Sequence, residues 1–299
     1  IIFATTAPVD ADDLERAVTR SVAEQQGYYE ECLADPSVPQ ADKEQYCYKP
    51  TEQDIRANAI YYLEKQPFTN DSMTGLLVFA GGLAAVVALL MGASAGGADW
   101  GARTMGLLFS WEPRRLRVFL TRLIVVVVTA LVVTAIAVAI AWALGSFIAG
   151  AHPMDPAIRL PQDMGYPGPA DLSEAARTGL RWLPLGVLAA TGGYGVAMAT
   201  RSTGWAIGAT IALVVIMEPF VQVLWRWGSQ WLLQTNVAAW LSGGLEWQVG
   251  QSASSGSGGT YGTGGMIFIS QWRAMAVMVL MVLVVLTAAG ILLRRRDVD

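Results

Sequence analysis

Polar and apolar residues in this chain are sorted into long blocks. Five apolar blocks run near the length of about 20 residues that an α-helix needs to cross a bilayer. They are Met73 to Ala95, Val118 to Ile148, Leu183 to Thr200, Gly204 to Leu224 and Met275 to Leu293. The pattern predicts an all-α polytopic membrane protein, with its transmembrane domain over 72–299. The chain opens Ile1-Ile2-Phe3-Ala4 with no methionine and turns polar at once. No signal-peptide cleavage site follows, so residues 1–9 are read as the outer end of a preceding span. The expected bundle then has six spans.

Between that end and the first complete block lies a polar insert, residues 10–71. Leu14, Val18 and Val22 recur at helical spacing within Asp10 to Gln26, as do Ile55, Ala59, Tyr62 and Leu63 within Asp54 to Lys65. Two short helices are predicted, joined through Pro36, Pro39 and Pro50. The insert also holds the only two cysteines, Cys32 and Cys47. A bridge between them would close a loop of about 15 residues and stabilise a nearly coreless domain by about 3 kcal/mol; the alternative is two unrelated thiols.

Other connections differ in kind. Residues 153–169 carry five prolines and cannot form one helix. Asp171 and Glu174 have the spacing of a capping box. Only Arg201-Ser202-Thr203 separates two apolar blocks, which forces a tight antiparallel hairpin. Residues 225–270 are read as an outer interfacial and flexible segment: tryptophan-rich short helices, whose indoles suit the membrane interface, followed by a glycine-serine loop over 250–265.

Charge then sets the orientation. Hydrophobic residues make up 54% of the chain and charged ones 15%, with a net charge of -4. That total conceals an asymmetry, because residues 10–71 hold fourteen acids against six bases and the rest of the chain is net positive. Arginines near span ends collect on the cytoplasmic side. Placing Arg103, Arg114, Arg115, Arg117 and Arg122 inside also puts Arg201 and Arg294 to Arg296 inside. The insert and its cysteines then lie outside, where a disulfide persists. Localisation in the plasma (inner) membrane, with a cytoplasmic C-terminus, follows.

The arginine-rich connection has a further pattern. Trp100, Met105, Leu107, Leu108, Phe109 and Trp111 can lie along the interface while Asp99, Arg103 and Glu112 face water. Pro113 then breaks the helix before the basic start of the next span. Physics leaves two readings open, an ordinary interfacial helix or a cytoplasmic knob that a soluble partner pushes.

These residues resemble the permease subunits of ABC type-2 transporters, in particular the bacterial six-span form with a separately encoded ATPase. The matching positions are Gly96-Gly97-Ala98-Asp99, Thr104 to Leu108, Pro113-Arg114-Arg115 and Arg122, together with the short Arg201 hairpin, the interfacial aromatics and the basic C-terminus. The sequence departs from the family's pattern at Asp99, where a glutamate is usual, at Arg103-Thr104, where a Gly-Thr pair is usual, and in the large insert. The resemblance implies that 97–117 is a coupling segment, with Asp99, Trp100, Arg103, Thr104, Pro113, Arg114 and Arg115 docking on the ATPase subunit. It implies a dimer of permeases with ATP and magnesium bound by the partner ATPase and no cofactor bound by this chain, which has no GxxxxGK[ST] loop. The expected activity is export of a small amphiphilic or hydrophobic substrate, with membrane lipid around the bundle and no nucleic-acid partner. The rival class is a non-transporting scaffold whose insert recruits an external partner.

Two residues are assigned to a substrate pathway, Glu218 and Tyr194. Glu218 lies about 21 Å along its helix from Gly204, and an ionisable group at membrane depth is a functional candidate by default. The alternative is a span that ends there, leaving the acid in the outer interface. Pro219 is expected to kink or break the helix. Gly192 to Ala199 and the Gly204-xxx-Gly208 pair would allow close helix approach. His152, the only histidine, has no companion with which to hold a metal, and no catalytic triad can be assembled.

Overall fold

The computed structural model describes residues 10–35, 39, 43, 47, 49, 51, 55, 63, 68–102, 104, 114–152, 170–249 and 265–295. Among the described residues, five helices are long and apolar enough to cross a membrane, the mark of a helical membrane protein. Two compact units emerge, Ile1–Leu76 with Ala141–Ala175, and Leu77–Ile140 with Ala176–Asp299.

In the first unit, α1 (Ala11–Ala34) is a single 24-residue helix. Asp10 accepts from the Asp13 N–H at 2.8 Å, and Asp13 accepts from the Asp10 N–H at 3.4 Å, which closes a capping box. The helix therefore runs eight residues beyond the expected stop at Gln26. Gly27 weakens a helix without ending it. Its buried face centres on Ala17 and Ser21, and Ser21 Oγ donates to the Ile55 carbonyl at 3.2 Å. The Cys32–Cys47 disulfide is present, with Cα atoms 5.6 Å apart. The second expected helix, Asp54 to Lys65, lies outside the described residues except at Ile55 and Leu63, as do residues 1–9 and the prolines of 153–169.

The same unit holds the junction between the first residues of α2 (Asn70–Gly101), the last residues of α3 (Arg115–Ala151) and the start of α4 (Leu172–Thr200). Asp171 Oδ1 accepts from the N–H groups of Ser173 and Glu174, as a cap should. The box is closed differently from the expected form. Asn70 accepts from the Asp171 N–H at 3.3 Å and donates to Glu174 at 3.0 Å. An amide side chain carries both acceptor and donor, so one residue of α2 satisfies both members of the cap. Trp142 Nε1 donates to the Leu172 carbonyl at 3.3 Å.

The second unit is assembled around the remainder of α4. Half of α4's most apolar stretch is buried, against 11% for Thr203–Gln222. Glycines make this possible. A Cβ at Gly92 would overlap the Ala190 carbonyl, one at Gly193 would sit 2.6 Å from the Leu89 carbonyl, and one at Gly96 would sit 2.7 Å from the Tyr194 carbonyl. Lipid removes the hydrophobic drive between helices, so close backbone approach supplies van der Waals attraction instead. The seam thus pairs Gly92 of α2 with Ala190, and Leu89 and Gly96 with the Gly192 to Ala199 stretch. The Gly204-xxx-Gly208 pair is not part of it, since Gly208 has nothing within 4 Å.

After α4, Arg201 takes a left-handed φ of 57° and Ser202 caps α5 (Thr203–Ile211) through the Trp205 N–H. The tight hairpin follows from these two residues. The helix then widens into a π-helical stretch, Ala212–Met217, and resumes as α6 (Glu218–Leu224). Pro219 neither breaks nor stops it. A proline removes one N–H and crowds the preceding turn, and the wider i→i−5 pattern, with the Glu218 N–H bonded to the Leu213 carbonyl, takes up the mismatch.

A 3₁₀ turn, Arg226–Trp231, leads to α7 (Leu233–Ser242), which ends at Gly243 with φ 85°. Beyond it the expectation for 225–270 needs correcting. Strands β1 (Gly244–Val249) and β2 (Gly265–Ser270) pair antiparallel, Gly244 opposite Ser270. Leu245-Glu246-Trp247-Gln248 alternates with period two, as a strand does, and Ile269 is fully buried. The final helix, α8 (Gln271–Arg295), begins directly after β2 and carries Arg294 and Arg295 in its last turn.

Candidate functional site

Two clusters in the second unit carry the chemistry. At the C-terminal end of α2, Gly97 allows the backbone to press on Thr203 at the start of α5. That approach places Asp99 beside Arg122 of α3, and the two form an ion pair with about a third of each side chain exposed. The chain turns back after Gly101, and the Thr104 N–H donates to the Asp99 carbonyl at 3.0 Å while its hydroxyl lies 3.4 Å from the Asp99 carboxylate. Trp100 sits under the Arg201 guanidinium, 4.5 Å from the ring centroid. This cation–π contact secures the left-handed hairpin residue against α2.

Of the residues expected in the coupling segment, the structure brings together Asp99, Trp100 and Thr104. Arg114 immediately precedes α3, its carbonyl accepting from the Arg117 N–H at 2.8 Å. Arg103, Pro113 and the aromatics between them lie outside the described residues, as does the side chain of Arg115. Arg122 is the partner of Asp99, a role that sequence alone did not assign.

Tyr194, expected in a substrate pathway, is packed at this end and does not line the cavity described below. It is fully buried, donates its hydroxyl to the Phe119 carbonyl at 3.0 Å and packs on the Phe119 ring at 5.3 Å. Its neighbours Ala88, Ala130, Ala190 and Met198 form the main apolar cluster. The small-residue seam draws α4 inward and leaves Tyr194 with no opening to face.

The second cluster surrounds a cavity of about 600 Å³ walled by residues of α2, α4, α7 and α8, the π-helical stretch and α6. The lining is nearly all apolar, with Leu89, Leu188, Met217 and Met278 among its members. Glu218 is in the wall and only 4% exposed. Its two oxygens accept separately from the N–H of Leu233 at 2.6 Å and of Gln234 at 3.0 Å. The first turn of a helix leaves its amides without partners. Leu232, in the capping position of α7, has no side-chain acceptor to offer. Glu218 fills that role from 15 residues upstream. The Gln234 amide completes the joint by donating to the Val214 carbonyl, inside the π-helical stretch, at 2.8 Å.

Glu218 is thus a buried carboxylate with the α7 N-terminus as its partner. The missing cap at Leu232-Leu233 was the available signal, but nothing in sequence says which acceptor supplies it. Trp182, also in the wall, was missed. It is 6% exposed and its indole N–H has no acceptor among the described residues. Two of the tryptophans expected to hydrate at the interface find protein acceptors, while Trp225 and Trp231 stay exposed. Trp240 donates to the Arg181 carbonyl at 2.7 Å and Trp247 to Ser229 at 2.9 Å, and Arg273 lies 5.0 Å from the Trp231 ring. Among the described residues no three His, Cys, Asp or Glu side chains gather as a metal site.

Comparison with protein-family models, curated proteins and solved structures finds no match to this chain.

Proposed function

We propose that this chain is the membrane-spanning permease subunit of an ATP-driven exporter, working as a pair with separate ATPase subunits that bind ATP and magnesium. The carrying observation is the apolar cavity of about 600 Å³ walled by the apolar helices, a volume in the range of small-molecule sites. The permease performs no covalent chemistry. It offers the cavity to opposite faces of the membrane as its helices rock.

The Asp99 end is the coupling end, on the cytoplasmic face with Arg201 and the C-terminus, while α1 and its disulfide lie outside. Three features support this reading. The arginines collect at one set of span ends, the ion pair and the Trp100–Arg201 contact join α2, α3 and the α4–α5 hairpin into one junction, and the disulfide lies in the insert assigned to the oxidising side. A push on 97–117 then reaches four helices at once. The native bundle has six spans in this reading.

The test is purification in mild detergent from its own host, followed by reconstitution. An ATPase should co-purify, and ATP should drive release of a hydrophobic dye from lipid. Asp99→Ala combined with Arg103→Ala should leave expression intact while ATP hydrolysis no longer drives transport. Absence of any ATPase partner, with an external protein recovered on the insert, would replace this reading with the scaffold.

A further inference from the structure

Glu218 carries more charge than a helix cap requires. Two amide N–H groups can be satisfied by a neutral hydroxyl or amide oxygen, and such caps are common. An ionised carboxylate taken out of water, as Glu218 is at 4% exposure, instead costs several kcal/mol unless it is fully partnered. The α7 N-terminus offsets about half an elementary charge, and the rest of the negative charge faces the cavity wall unmet. Among the described residues, no Lys, Arg or His lines the cavity. Arg273 is engaged by Gln230 at 2.6 Å and by the ring of Trp231, which lines the cavity, and is not itself in the wall. An ionised carboxylate offers about four acceptor positions, of which α7 occupies two.

We propose that the cavity binds a hydrophobic monocation, with Glu218 as its counter-ion. This deepens the permease reading and rests on it for the direction of transport. Apolar walls accept the body of the ligand, and the single carboxylate selects its sign. Neutral ligands leave the charge unmet, and anions are repelled by it. Trp182, also in the wall, adds an aromatic surface, which attracts cations. Because α7 holds Glu218 by backbone groups, the counter-ion keeps its place whether or not the ligand is present.

The proposal is tested on the full chain in nanodiscs, without ATPase or nucleotide, by equilibrium binding of tetraphenylphosphonium and of tetraphenylborate, its near-isosteric anion, with empty nanodiscs as blank. The cation should bind saturably and the anion should show no binding above the blank. Glu218→Gln should weaken cation binding by about tenfold or more, the scale of one charge-assisted contact, and abolish the preference for sign. Equal saturable binding of both ions, no cation binding above the blank, or cation binding unchanged in Glu218→Gln would overturn the proposal.

Should Glu218→Gln fail to fold, the wild-type comparison of the two ions still decides, together with Ala189→Phe, which fills the cavity from α4 and should abolish cation binding. Retained binding in Ala189→Phe would overturn the assignment to this cavity. The permease reading fails separately, through absence of an ATPase partner while cation binding persists.

Discussion

Asp99 and Glu218 both stand inside the second unit, and their carboxylates are partnered in opposite ways. Asp99 meets the side chain of Arg122 with about a third of each group exposed. Glu218 meets two backbone N–H groups while 4% exposed. A pair of long side chains in partial contact with water contributes little stability and is screened by salt, so it separates and re-forms at small cost when helices shift. Backbone donors fixed at a helix start have no such freedom. The first arrangement suits a junction that moves, the second a wall that stays in place around a cavity.

The contrast can be broken by substitution. The largest effect should come from Gly92→Ala behind the Asp99 end, where a Cβ overlaps the Ala190 backbone and no flexible side chain can yield. A loss of about 3 kcal/mol is expected, read by unfolding in detergent, and an unchanged midpoint would show that α2 and α4 separate freely. Glu218→Ala strands the first amides of α7 and should cost about 2 kcal/mol. Stability equal to wild type in that variant would mean that other acceptors replace the carboxylate.

Asp99→Asn should cost less than about 1 kcal/mol, with the difference shrinking as salt is raised. A loss as large as that of Glu218→Ala would erase the distinction drawn between the two acids. Smallest of all, Gly208→Ala should lie within about 1 kcal/mol of wild type, on the stabilising side, because its surroundings are open. Strong destabilisation there would reveal a neighbour packed on that face in the assembled protein.

How legible these features were depended on whether they are local. The apolar blocks were clear from length and composition, and all five appear as helices long enough to span a membrane. The Arg201 hairpin followed from chain length alone. Cys32 and Cys47 had only each other as partners. By contrast, Gly204-xxx-Gly208 and Gly92-xxx-Gly96 are the same motif in the sequence, yet only the second meets another backbone. The β-hairpin was obscured because its tryptophans suit an interface as well as a strand, and its alternation covers only a few residues on either side of the glycine-serine run. Asn70 joining the Asp171 cap is a pairing across about a hundred residues, for which no local rule exists.

Hydrophobic length and charge order are properties of consecutive residues, so the sequence by itself determined that the chain is a membrane protein, where its helices fall and which segment carries the disulfide. Side-chain partnership between distant helices is decided only when backbones dock. Tertiary structure alone therefore assigned Arg122 to Asp99, withdrew Tyr194 into the packed seam, and placed Glu218 against α7 in the wall of the cavity. Glycine contacts set how closely the helices approach, and that separation decides which polar groups find partners and which are left facing the open space.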